Sequence, residues 1–438
     1  MTEQISRLRL FPLTAEVGDE GHLVIGGCDT LELAAEFGTP LYLFDELSLR
    51  SRCAEFKKEF GQRYAETTIL YAAKAFINKT LLRIFREEGF GLDVVSGGEI
   101  GLARAAGFPL ERVCFCGNNK SVEEIDLALE CGVGRIVVDN FYELEMLDRI
   151  AGERNITVAI LLRLSPGVDS HTHRYINTGN IDSKFGFPLA VGEDAVTAAM
   201  SLPNLSLVGI HFHLGSLIFE VEPYREAIDH ILDFAAGMKR KHGFELEELD
   251  VGGGFAVPYT LSDPSRPISA YAEVITSSIK KGCRKLGLEL PRLVIEPGRS
   301  MVAQAGVALY TVGAIKDIPG VRCYVAIDGG MGDNIRPALY EGKHVAIVAN
   351  KMTEEETTEV TIAGKFCESG DILIRDIKLP ALAAGDTLAV AGCGAYCLTQ
   401  ASNYNAFFKP AVVMVGEGRA RLMRRRETIE DLTRCDVG

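Results

Sequence analysis

"TILYAAKAFINKTLLRIFREEGFGLDVV", residues 68–95, decides the fold. An apolar run at 68–73 is followed by a helix-like segment from Asn78 to Glu88, then by a second apolar run at 90–95. Strand, helix and strand in so short a span is the repeating unit of parallel α/β proteins. The rhythm continues with strand-like runs near 112–116, 135–139, 157–164, 207–212, 248–251 and 293–296. Helix-like segments lie between them at Gly98–Ala106, Val122–Glu130, Tyr142–Ala151, Glu222–Lys241 and Ile268–Leu286. Eight strand candidates alternating with helices predict a (β/α)8 TIM-like barrel over residues 43–300. The connection at 167–190 is too long for an ordinary βα loop, which marks it as functional.

Past residue 300 the pattern changes. VRCYVAID, HVAIVAN, TEVTIAG, DILIRDI, DTLAVAG and AVVMVGEG read as strands with glycine-rich turns between them. Residues 301–438 are therefore expected to form a mostly antiparallel β domain, joined by the N-terminal segment 1–42 through strands such as HLVIGG.

The 438 residues, 47% hydrophobic and 24% charged, suit a chain of two or three domains with ample core. A net charge of −14 argues against a broad nucleic-acid-binding face. Arg419, Arg421, Arg424, Arg425 and Arg426 form one basic cluster, read as a solvated strand or tail. MTEQISRLRLF lacks the apolar core of a signal peptide, and no run is apolar enough to span a bilayer, so no membrane partner is expected. Eleven cysteines without a framework fit a reducing cytoplasm. Cys114-x-Cys116 and Cys393-x3-Cys397 are read as small buried hydrophobes, and no metal is expected.

In such a barrel the chemistry sits where the strands end. Strand one ends in Lys74, between two alanines. A lone strand-end lysine ordinarily reaches water by its long stem. A lysine in an apolar setting instead loses its proton more readily and becomes a nucleophile for Schiff-base chemistry. The other strand ends decide for the second reading. Strand two ends in Asp93 and VVSGGE, strand six in HFHLGS, strand seven in DVGGGF and strand eight in EPGRS. Gly252, Gly253 and Gly254 let the backbone approach an anion, and Arg299 follows a Pro-Gly turn, so the last two strands read as a phosphate site. His213 reads as a general base or a ring-stacking neighbour, with Ser216 close by; Glu296 offers a carboxylate at the end of strand eight. Lysine, phosphate pocket, flat-ring neighbour and acid together describe a pyridoxal 5'-phosphate site, in which the acid pairs with the pyridine nitrogen.

The chain resembles the fold-type III pyridoxal-phosphate decarboxylases, which share the alanine-racemase-like barrel, and within them the diaminopimelate decarboxylases. The likeness runs from GTPLYLFDE at 38–46 to SNYN at 402–405. It rests on YAAKA, HTHRYINTG with DSKFGF, HFHLGS, DVGGGF, EPGRSMV, RPALY, CESGD and GAY. It implies that Lys74 carries the cofactor, with Asp93 beside it in the cofactor site. His213 stacks on the ring, and Glu296 pairs with its nitrogen. Ser216, Gly252, Gly253, Gly254, Gly298 and Arg299 surround the phosphate, and Tyr396 closes over the cofactor. Cys367 is implied as proton donor. Arg299, Arg336, Tyr340, Glu368 and Tyr396 are implied to hold a diamino acid substrate. The implied assembly is a homodimer in which Cys367 and Glu368 reach the partner's active site. The implied reaction takes meso-2,6-diaminopimelate to L-lysine and carbon dioxide, the last step of lysine synthesis.

Physical chemistry supports that substrate in part. A distal carboxylate calls for arginine and a distal ammonium for an acid, and Arg299, Arg336 and Glu368 supply both. Leu217 after HFHLGS, Ala256-Val257 after DVGGGF and AFFKPAVVMV after SNYN depart from the family's usual pattern. They leave open a related decarboxylase acting on carboxynorspermidine or a D-diamino acid such as D-ornithine or D-lysine. An amino-acid racemase would be better served by an arginine than by Glu296 at the ring nitrogen. A non-catalytic homologue should have lost Lys74, Cys367 or the glycines.

Overall fold

The computed structural model describes residues 3–169 and 183–437. The chain divides into two compact units, one of Cys53–Ala256 with Ser265–Gly298, the other of Met1–Arg52, Val257–Pro264 and Arg299–Gly438.

The first unit is the barrel. Its eight parallel strands are Thr67–Ala72, Gly91–Val94, Val113–Phe115, Arg135–Val138, Val158–Ser165, Leu205–His211, Glu248–Asp250 and Arg292–Ile295. They pair in that order, and the eighth closes on the first with Leu293 opposite Thr67 and Ile295 opposite Ile69. Each of the eight apolar runs singled out before residue 300 is one of these strands. Strands of a closed parallel barrel are covered on both faces, so they read as continuous apolar runs. The interior is packed by Leu70, Cys114, Cys116, Val137, Leu161 and Val294.

The turns that launch the helices are set by polar caps. Asn78 Oδ1 accepts from Leu81 N at 2.9 Å, Ser96 Oγ from Glu99 N at 3.2 Å and Asn140 Oδ1 from Glu143 N at 3.0 Å. Ser121 and Glu124 form a reciprocal capping box. Each satisfies amide hydrogens that the first helical turn leaves unpaired, an effect of about 1 kcal/mol. The helix Lys79–Glu87 then buries Leu81, Leu82, Ile84 and Phe85, and Phe85 stacks on Tyr71 of strand one at 3.8 Å. That packing anchors the strand that carries Lys74.

The long connection after strand five resolves into ordinary structure at its far end. Phe187–Pro188 adds a short parallel strand beside Leu164 and Ser165, and a helix runs over Leu189–Ser201. The motif HTHRYINTG and the start of DSKFGF lie outside the described residues.

The second unit is built on a nine-stranded, mostly antiparallel sheet. Its main path runs Ile372–Leu379, Thr358–Ala363, Arg322–Ile327, Gly306–Ile318, Leu41–Asp45, Ala411–Gly416 and Arg419–Arg424. Thr387–Val390 branches from the long strand Gly306–Ile318, and Ala346–Val348 pairs with Thr387–Val390 in turn. Leu41–Asp45 is central and wholly buried, antiparallel to Gly306–Ile318 and parallel to Ala411–Gly416. HLVIGG lies instead in a separate three-stranded sheet of Glu16–Val17, Leu23–Ile25 and Cys28–Asp29. Leu23 and Ile25 share a core with Leu41, Leu43, Val307, Ile347 and Val413. The expected barrel span of 43–300 takes in residues 43–52 and 257–264, which pack within this second unit. The arginines of the basic cluster lie on the edge strand Arg419–Arg424 and in the tail beyond, where Arg425 pairs with Asp431.

Candidate active site

Strand one ends in a single 3-10 turn, Ala73–Ala75, that turns Lys74 away from its buried alanine neighbours. Its side chain is 33% exposed, and Nζ lies 2.8 Å from Oδ2 of Asp93, which is fully buried at the end of strand two. Burial pushes the Asp93 carboxyl up, aided by Glu296 and opposed by Lys74. The lysine is thus neither a surface residue nor buried outright; it is a reachable amine fixed against a carboxylate.

Glu296, 3% exposed at the end of strand eight, stands 3.5 Å from His211 Nε2 and 3.7 Å from Cys116 Sγ. Burial alone would raise its pKa. The His211 interaction, with the Lys74 charge, outweighs burial and holds Glu296 well below the ordinary carboxylate range. Its neighbour Asp250 goes the other way: burial and the Glu296 charge push it well up. Two carboxyls that share one apolar site divide the roles, one ionised and one protonated.

The glycine run of strand seven is required by contact as well as by conformation. Gly252 and Gly254 have φ of 68° and 99°. A Cβ on Gly253 would lie 2.2 Å from the Glu296 carbonyl oxygen, and one on Gly252 would lie 2.6 Å from His213 Nδ1. Two of the three amides are already spoken for: Gly252 N donates to Asp250 Oδ1 at 2.8 Å and Gly253 N to His213 Nδ1 at 3.1 Å. Among the described residues, the Gly254 N–H is left for an anion. Accepting at Nδ1 places the His213 proton on Nε2. Burial, with Lys74 and Arg163, pushes the His213 pKa well down, so the ring is neutral. Ser216 is half-buried two residues past Leu214, and Leu217 adopts φ of 60°. A Cβ on Gly298 would come within 3.0 Å of Ala72 Cβ, so the turn after Glu296 packs tightly on strand one.

In the sheet unit, Arg299 and Arg336 are 8% and 3% exposed. Arg299 Nη1 donates to Tyr259 Oη at 2.8 Å, and its guanidinium lies 4.5 Å over the Tyr396 ring. Tyr396 holds a φ of 58°, a left-handed conformation that costs of order 1–3 kcal/mol in a non-glycine residue. Arg336 lies 4.0 Å over the Tyr259 ring and donates to His344 Nε2 at 3.0 Å. No carboxylate among the described residues pairs with Arg336. Tyr340 Oη accepts from Gln400 Nε2 at 2.8 Å. Cys367 and Glu368 sit on an exposed loop, braced by Asn405 Oδ1 on the Cys367 amide at 3.1 Å and by Tyr404 Oη on Glu368 at 2.9 Å. SNYN therefore holds CESGD in place.

His211, Asp250, Tyr259 and His344 were not singled out from the sequence, and Cys116 was read only as a small buried hydrophobe. His211 had a usable signal, since residues two apart on a strand share a face with one another and so with His213. Glu99 is a further case. Its carboxylate accepts from Val95 N at 2.7 Å, and burial pushes it up to about 7 despite that bond. An acid with a raised folded pKa contributes stability that is full below about 4.5 and is lost as pH rises through about 7. Glu99→Gln is expected to raise the Tm at pH 8 but not at pH 4.5; equal shifts at both would remove the titration from the account.

Cys393, Cys397 and His344 place three candidate ligand atoms near one another, all buried. His344 Nε2 already accepts from Arg336 and, at 3.2 Å, from Asn334 Nδ2, and a guanidinium beside it opposes a metal cation. The reachable amine, the neutral imidazole, the ionised acid and the cradle that a Cβ would fill do fit pyridoxal phosphate.

A family model described as the pyridoxal-binding domain of pyridoxal-dependent decarboxylases matches residues 46–303. Diaminopimelate decarboxylase of Bacillus subtilis is 46% identical over 97% of either chain. The crystal structure of diaminopimelate decarboxylase from M. jannaschii in complex with L-lysine superposes with a TM-score of 0.91 at 35% identity, over 97% of this chain and 98% of that one. The Helicobacter pylori enzyme complexed with L-lysine gives 0.86 at 33% identity, over 93% of this chain and 98% of that one.

Proposed function

The chain belongs to the diaminopimelate decarboxylases, and from that premise we propose the part each residue takes in turning meso-diaminopimelate into L-lysine and carbon dioxide. The observation that carries the reading is Arg336, a buried guanidinium with no carboxylate partner among the described residues. A buried cation left without a counter-charge is costly unless a ligand brings one. Diaminopimelate brings a carboxylate at the end that does not react. A decarboxylase for ornithine or lysine would have no use for that cation.

Pyridoxal phosphate, when bound, supplies the sink for the electron pair left by the departing carbon dioxide. Lys74 Nζ, steadied by Asp93 at 2.8 Å, would hold the cofactor's aldehyde end. Glu296, kept ionised by His211, would hold a proton at the cofactor's ring nitrogen. His213, neutral and protonated on Nε2, would stack on the cofactor's ring. The Gly254 amide, Ser216, Gly298 and Arg299 would receive the phosphate, and Tyr396 would close over the cofactor. Arg336, Arg299 and Tyr340 grip the distal carboxylate, and Glu368 the distal ammonium. Cys367 Sγ delivers the proton that replaces the lost carboxylate and recovers it from solvent, which its exposure allows.

The enzyme works as a homodimer in which the exposed Cys367–Glu368 loop completes the partner's site. Cys367→Ala is expected to keep its cofactor and slow turnover by about 10²–10⁴, the usual worth of a positioned proton donor. Co-expressing it with Lys74→Ala tests the sharing of sites. Half the dimers would be mixed and would hold one intact site, restoring about a quarter of wild-type activity. No restoration in demonstrably mixed dimers would put Cys367 in its own subunit's site. No helix among the described residues is long and apolar enough to cross a membrane, and all eleven cysteines are free thiols, which supports a cytoplasmic enzyme.

The substrate is tested by carbon dioxide release from meso-diaminopimelate beside L-lysine, L-ornithine, D-ornithine and carboxynorspermidine. Release from diaminopimelate alone, with L-lysine appearing, is the expected result. Release from another diamine would retain Lys74 and the cofactor and overturn the roles given to Arg336 and Glu368.

A further inference from the structure

We propose that His344 is a positioning residue for substrate recognition: its ring, in the neutral Nδ1–H form, fixes the Arg336 guanidinium for the substrate's distal carboxylate. The inference rests on the role given to Arg336 above.

His344 is 4% exposed. Its Nδ1 lies 3.0 Å from the Ala391 carbonyl oxygen, which can only accept, so the proton is on Nδ1. Nε2 is then a bare lone pair, and two donors converge on it: Arg336 Nη1 at 3.0 Å and Asn334 Nδ2 at 3.2 Å. Both donors require the ring to stay neutral. Burial and the Arg336 charge push its pKa down to about 3. Tyr259 completes the clamp. Arg336 lies flat over its ring at 4.0 Å, while His344 meets the same ring edge-on, at 5.6 Å and 89°.

The choice of a neutral acceptor matters. Arginine side chains are normally held by carboxylates, and an Asp or Glu here would fix Arg336 equally well. It would also neutralise the charge and compete with the ligand's carboxylate. An imidazole lone pair and an aromatic face orient the guanidinium and leave its charge for the ligand. Holding a long, rotamer-rich side chain in place beforehand also removes an ordering cost from binding. Arg336 would then be selective because His344 is neutral, and rigid because His344 and Tyr259 grip it from two directions.

Two ligands separate this role from a structural one. L-lysine carries the distal carboxylate, and cadaverine is the same chain without it. Their dissociation constants from the holoenzyme are measured for wild type, His344→Asn and His344→Gln. Asparagine can keep the contact with Ala391 but offers no acceptor where Nε2 stood; glutamine places its oxygen near that point. His344→Asn is expected to lose at least tenfold in preference for L-lysine over cadaverine, with cadaverine affinity and cofactor content unchanged. His344→Gln should retain most of the preference. If the asparagine variant keeps the wild-type preference, or both variants lose it equally, the inference is overturned. A wild-type enzyme with no preference for L-lysine would instead overturn the role of Arg336. Should the variants not fold, ¹⁵N-histidine spectra of the wild-type holoenzyme decide: a protonated Nε2 on His344 rules the clamp out.

Discussion

Lys74→Ala is expected to purify as a folded protein without cofactor-derived visible absorbance, and to lose turnover by more than about 10⁴. The fold should survive because the strand is anchored elsewhere. Tyr71 is stacked on Phe85, and Ala72, Ala73 and Ala75 are buried in their own right. The lost partner is Asp93, a fully buried carboxylate whose Lys74 contact opposes the upward push of burial. Without Lys74 it takes up a proton and stays neutral, which avoids a buried charge and limits the damage to stability. The chemistry has no such escape. Lys120, the buried lysine at the end of strand three, is committed to Glu143 at 2.6 Å and to the carbonyl oxygens of Gly117 and Val137. In the wild type, hydride reduction should fix the cofactor's mass on the peptide containing Lys74. Full visible absorbance in the alanine variant would assign the attachment to another amine.

Much of this site was legible because the fold delivers chemistry at one kind of place. The apolar runs marked the barrel strands, and the residue just past each run was then a candidate on geometric grounds. Lys74, His213 and Gly252 were singled out that way, and Asp93 and Glu296 as the acids within or closing their runs. The helix Leu189–Ser201 was not, since LAVGEDAVTAAMS is built of small residues and has Pro188 where a side-chain cap would signal its start. The strand Gly306–Ile318 was also missed. Its first half is buried and its second exposed, so it shows neither a uniform apolar run nor clean alternation. The second layer of the site was hidden for a different reason. That His213 consumes one of the glycine amides, or that Tyr259 lies against Arg336, depends on residues far apart in sequence. No spacing rule reaches them.

Glu296→Gln should retain covalently held cofactor yet fall in turnover by about 10²–10³, the scale of losing one preorganised electrostatic partner. The argument turns on which of two adjacent acids is ionised. Glu296 is held low by His211 and Lys74 against the pull of burial, while Asp250, beside it, is pushed up by burial and by the Glu296 charge. Only Glu296 therefore offers a fixed negative charge, and a proton on the ring nitrogen is stable only opposite such a charge. Glutamine keeps the size and one acceptor but removes the anion, so the ring would lose its proton and its capacity as a sink. The change also releases Asp250 from its like-charged neighbour. Burial, the larger push, still holds its carboxyl up, so Asp250 does not replace the lost anion and a Glu296→Gln, Asp250→Asn double variant should be no slower than the single one. A depressed Glu296 pKa contributes stability above about pH 4.5 that is lost as pH falls through the folded value, so Glu296→Gln should narrow the Tm gap between pH 7 and pH 3. Turnover of the single variant within tenfold of wild type would show that the ring nitrogen does not depend on this anion, and the role of His211 as its support would fall with it.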